Sequence, residues 1–63
     1  MRYDRGCKRS TFRAAVDLAK RTQAHAYIMA TAYGYFITQK KSDCGLQNYV
    51  LVRGDGSHEA VLR

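Results

Sequence analysis

A chain of 63 residues makes at most one domain, too small for a cleft between lobes or a catalytic constellation with its supporting shell. Eleven Lys and Arg against five Asp and Glu give a formal net charge of +6, and 46% apolar with 25% charged residues excludes a disordered chain. That excess favours anionic partners (nucleic acid, an acidic protein face or anionic lipid), although a modest net charge also serves solubility.

The chain opens Met1-Arg2-Tyr3-Asp4-Arg5, and residues 1–9 read as a flexible basic arm ahead of a single domain over 10–63. Charge interrupts the arm before any apolar core of a signal peptide can form. Residues 1–21 hold seven of the eleven basic side chains, Arg2, Arg5, Lys8, Arg9, Arg13, Lys20 and Arg21, opposed only by Asp4 and Asp17.

A helix is expected from Ser10 or Thr11 to about Thr22, with either hydroxyl as N-cap. Phe12, Ala15, Val16 and Ala19 recur at helical spacing with Leu18 at the stripe's edge, and Arg13, Asp17, Lys20 and Arg21 lie away from it. Asp17 stands four residues from both Arg13 and Arg21, and the basic pair Lys20 and Arg21 suits the helix dipole at its C-terminal end.

The residue types then change to β-formers. Strands are expected over His25–Ala30 and Tyr35–Gln39, joined through Gly34; Lys40–Gln47, with its Ser-Asp-Cys-Gly, reads as a loop. Asn48–Arg53 is a third strand, Gly54-Asp55-Gly56-Ser57 a tight turn and His58–Leu62 a fourth strand. The fold class is therefore α+β, one N-terminal helix packed on a three- or four-stranded antiparallel sheet in an α-β-β-β-β meander. Alternation groups Ala26, Ile28 and Ala30 against the helix, with His25, Tyr27 and Met29 opposite. Val50 and Val52 share one face and Tyr49, Leu51 and Arg53 the other, while Tyr35 and Ile37 compete with Phe36 for the inside. One sheet face is expected to be open to solvent, with at least two of the five tyrosines on it.

The longest charge-free run, Thr22–Gln39, is broken by Gln23, His25, Thr31, Gly34 and Thr38, so no membrane span is expected. Two cysteines, Cys7 and Cys44, are too few for a disulfide scaffold, which points to thiols in the cytoplasm. With His25 and His58 they offer a zinc ligand set, but no two form the short pair that structural zinc requires, and neither a metal nor any other cofactor is expected. Asp43 beside Cys44 raises a thiol pKa instead of activating a nucleophile. No paired carboxylates, phosphate loop or serine elbow is present, so neither an enzyme nor a small-molecule substrate is expected. Arg53-Gly54-Asp55 spells an adhesion tripeptide, yet sits where a hairpin turn needs Gly and Asp.

The strongest functional signal is the basic zone Arg2, Arg5, Lys8, Arg9, Arg13, Lys20 and Arg21, a set suited to neutralising phosphates, or to a solvated helix face. Tyr27, Tyr35 and Tyr49 offer a second contact, since bases stack on exposed rings, although tyrosine is also a common strand residue and no ribonucleoprotein consensus is present. The expected function is a non-enzymatic binder of nucleic acid or a nucleoprotein complex. The alternative is a protein-binding inhibitor that docks its positive face on a host defence or transcription complex. In size and charge alone, the chain resembles the small accessory products of phages and mobile elements. A core this small also leaves room for a homodimer through an edge strand or apolar patch.

Overall fold

The computed structural model describes residues 2–4, 8–32 and 34–62, excepting the side chains of 2–4 and of Lys8. Helix α1 runs Lys8–Thr22, starting before the expected Ser10 or Thr11. Thr11 is no cap. It is fully buried, on the same face as the buried Ala15 and Ala19 four and eight residues later. The helix ends in a Schellman motif, in which Gln23 takes φ 56° and the Ala24 N–H donates to the Ala19 carbonyl at 3.2 Å.

Four strands follow, β2 (Ala26–Thr31), β3 (Gly34–Thr38), β4 (Tyr49–Val52) and β5 (His58–Val61), each within a residue or so of its expected bounds. The α+β fold, helix on antiparallel sheet with the order α-β-β-β-β, is the one read from the sequence. Two features depart from it. Residues Arg2–Asp4 form a strand, β1, antiparallel to β3 with Arg2 opposite Ile37, and Lys8 and Arg9 belong to α1. The expected arm over 1–9 is thus partly regular structure, which covers what would otherwise be the free edge of β3. The spatial order β1-β3-β2-β4-β5 is also not a simple meander, because β4 pairs with β2 and leaves β2 in the centre.

The crossing from β3 to β4 uses residues Lys41–Cys44, a 3-10 turn inside the expected loop. Thr38 fixes its start: its hydroxyl donates to Asp43 Oδ2 at 2.6 Å and accepts the Lys40 N–H at 3.1 Å. The turn carries Cys44 onto the sheet face opposite the helix, where it is 1% exposed. The expectation of a thiol in a polar loop is thereby corrected.

Both faces of the sheet bury apolar groups. Ala15 and Ala19 of α1 pack on Ala26, Ile28, Ile37 and Val52 of the sheet, with Tyr35 and Val50 beside them, so Tyr35 and Ile37 take the helix side and Phe36 the other. Three alanines at this contact let helix and sheet approach closely, and Ile37 and Val52, both essentially fully buried, each contribute about 1.5–3 kcal/mol. On the far face Met29, Phe36, Cys44 and Tyr49 form a second cluster, flanked by Tyr27, Leu51 and Val61. That face is not left open, because the 3-10 turn folds over part of it.

Candidate functional site

Five basic residues and one acidic residue lie in the fifteen of α1. Arg9, Arg13 and Lys20 stand at i, i+4 and i+11, which places them on one line along a 3.6-residue helix, roughly 16 Å long at 1.5 Å per residue. All three are exposed, and none makes an ion pair with a described residue. Arg21 differs. It is turned about 100° from Lys20, and its Nε lies 3.4 Å from Asp17 Oδ2, an exposed pair that offsets part of its charge. Three exposed cations without an ion-pair partner among the described residues are thus drawn up in a ridge.

The ridge borders a furrow between α1 and the β4–β5 hairpin. Its first hollow, about 570 Å³, has as floor Ile28, Val50 and Ala60, which stand directly opposite one another across β2, β4 and β5. Phe12, Tyr35 and His58 form its walls, and Arg9 its mouth. The rings of Phe12 and His58 meet edge to face, with centroids 5.1 Å apart at 79°. Phe12 is shared with a second, shallower hollow of about 580 Å³ that includes Arg13, Val16, Lys20 and Gly56. Lys20 is shared in turn with a third of about 370 Å³ beside His25, Arg53 and Gly54. The furrow therefore follows the helix with cations along one rim.

At the far end Asp55 closes the hairpin turn. Its Oδ1 accepts the Ser57 N–H at 2.8 Å and the Ser57 hydroxyl at 2.6 Å, and these bonds, the hydroxyl's foremost, hold its carboxyl below the ordinary 3.8. Arg53 Nη2 approaches Glu59 at 3.8 Å. The Arg-Gly-Asp tripeptide is thus part of a hydrogen-bonded turn.

The tyrosines are not assembled with the ridge. Tyr35 lines the furrow, but Tyr27 and Tyr49 lie on the opposite face of the sheet, edge to face at 5.5 Å. Tyr49 is only 6% exposed, which removes it as a stacking platform and corrects the expected exposed cluster. The physical reason is the pleat: Tyr27 and Tyr49 occupy strand positions that point away from the helix, beneath the 3-10 turn. Arg5 lies outside the described residues, as do the side chains of Arg2 and Lys8.

Sequence reasoning missed the furrow itself. A helical projection places Phe12 and Val16 next to the Arg9–Arg13–Lys20 line, a signal available in advance. That His58 and Ala60 would face them depends on strand order, which no local pattern carries.

Among the described residues no group of three or more His, Cys, Asp and Glu could hold a metal, and no helix is long and apolar enough to cross a membrane. No protein-family model, curated protein or solved structure matches the chain.

Proposed function

We propose that this chain is a non-enzymatic nucleic-acid-binding domain that seats a phosphate backbone along Arg9, Arg13 and Lys20, with Arg21 and the N-terminal Arg2, Arg5 and Lys8 adding charge. The observation that carries it is the alignment of three exposed cations without described ion-pair partners beside a furrow. Cations spread evenly over the surface would serve solubility alone; a line of them matches a polyanion. Binding of this kind releases counterions. Three phosphate contacts predict affinity falling roughly twenty- to fortyfold between about 50 and 200 mM salt, with little dependence on sequence.

Titrating the protein against labelled single- and double-stranded oligonucleotides at two salt concentrations tests this. Salt-sensitive binding supports it, and absence of binding at both concentrations overturns it. The second reading, a protein-binding inhibitor, draws support from Leu46 and Leu62, exposed at 86% and 80%, and from β5 at the end of the sheet. A protein partner docked on the positive face and these apolar groups would also lose affinity on Arg9 and Arg13 substitution, but the chain would leave free nucleic acid unbound near physiological salt.

A further inference from the structure

We infer that the hollow beneath Phe12 and His58 is a receptor for an unpaired nucleobase, so that the ligand of the ridge is single-stranded nucleic acid. This rests on the phosphate-binding reading above and adds to it a second, chemically different site.

The hollow's floor, Ile28, Val50 and Ala60, is aliphatic, and its flanking rings, Phe12 and His58, are aromatic. An apolar floor with aromatic walls accepts a flat, uncharged, polarisable group. Its mouth carries Arg9, one helical turn from Arg13, so whatever enters is tethered to something anionic. A nucleotide unites those two properties, with a base for the hollow and a phosphate for the guanidinium. Charge complementarity thus selects the occupant: an apolar peptide would satisfy the floor but leave the arginines without counter-charge.

The rings are suitably placed to receive it. An edge-to-face contact such as that of Phe12 and His58 consumes one ring face, where a parallel stack consumes two. His58 is exposed and Phe12 half-buried, so aromatic surface remains at the furrow. The volume, about 570 Å³, falls within the range of small-ligand sites. Reading of a base by stacking with few directed polar groups is tolerant of sequence. A base inside a duplex is already stacked and paired and cannot enter, which makes the hollow selective for single strands.

The test compares a thymidine oligonucleotide of about 12 nucleotides with an abasic strand of the same length, and with a duplex. The protein is wild type, His58→Ala, Ala60→Phe, which fills the exposed floor position, or Arg9→Ala. The proposal expects the thymidine strand to bind roughly five- to a hundredfold tighter than the abasic one. His58→Ala and Ala60→Phe should erase that difference while leaving abasic binding unchanged, and Arg9→Ala should weaken both strands. Equal binding of thymidine, abasic and duplex ligands would overturn the base receptor while leaving the phosphate ridge standing. If no strand binds, the ridge fails and the receptor with it. A thymidine preference that survives both furrow substitutions places the base elsewhere and also overturns the proposal. Circular dichroism shows whether each variant is folded. Because His58 and Ala60 are exposed, neither change removes core volume.

Discussion

Gly54 lies against the backbone of Lys20, so closely that a Cβ on it would come within 3.2 Å of the Lys20 Cα and 3.3 Å of its nitrogen. The hairpin turn is therefore seated on the helix at the C-terminal end of the ridge. The obstacle is backbone, which cannot swing aside as a side chain can. Gly54→Ala is expected to lift the hairpin from α1 and destabilise the domain by about 1–2 kcal/mol, read as a lower urea midpoint.

The ridge separates affinity from stability. Arg9→Ala with Arg13→Ala should abolish oligonucleotide binding near physiological salt and reduce the slope of log affinity against log salt by about 2. Thermal stability should change by no more than about 0.5 kcal/mol, since both side chains are exposed. Arg21→Ala is expected to cost less affinity, because Asp17 already offsets part of its charge. An equal loss from Arg21→Ala would remove the special standing of the ridge.

Tyr49 and Tyr27 touch each other but should respond differently to truncation. Tyr49→Ala opens a hole among Met29, Phe36 and Cys44 and is expected to cost about 3–5 kcal/mol, enough to unfold much of a domain this size. Tyr27→Ala, at a half-buried position, should cost less. Neither should alter nucleic-acid affinity per folded molecule, which calorimetry on folded samples would show.

How much of this was legible in the chain differs by level. The helix was readable because Phe12, Ala15, Val16 and Ala19 repeat at its period, and the strands because β-formers alternate between turn residues. The fate of Tyr49 was not, because alternation says which residues share a face and nothing about whether that face is covered. Covering it depends on the 3-10 turn at Lys41–Cys44, held by Thr38 and Asp43 across five residues in a segment of loop-like composition. Placement of His58 opposite Phe12 likewise required β4 to choose β2 over β3. The basic residues of α1 are visible in the chain and their alignment follows from helical geometry, but the furrow beside them is a product of long-range pairing.

Cys44 should behave as a buried group and not as a surface thiol. Mass-spectrometric mapping with a maleimide is expected to find it unlabelled in the native protein and labelled in urea. Rapid native labelling would mean that the 3-10 turn does not hold it in the second cluster.

Asp55 gives the hairpin turn a dependence on pH whose sign is fixed. Its carboxyl has a folded pKa below the ordinary 3.8, so its two bonds to Ser57 stabilise the fold fully above that value and are lost as pH falls through the lower folded one. Asp55→Ala should therefore lower the melting temperature at about pH 7, and the gap to wild type should narrow only below pH 3.8. A gap of constant size across that range would assign the effect to something other than the ionised carboxylate.

Because β2 lies between β3 and β4, two local hairpins, β2–β3 and β4–β5, meet along a non-local seam, with β1 added from afar on the outer edge of β3. Each hairpin can close by itself within microseconds, but the seam must wait for the intervening loop to bring β4 back. During synthesis the helix and first hairpin emerge with one edge of β2 bare, exposing the backbone of Ala26, Tyr27 and Ile28 until Tyr49–Val52 arrives to pair with it. The segment from Tyr49 onward is thus an intramolecular guard on an aggregation-prone edge, and a nascent chain stalled before Tyr49 would seek that pairing from its neighbours.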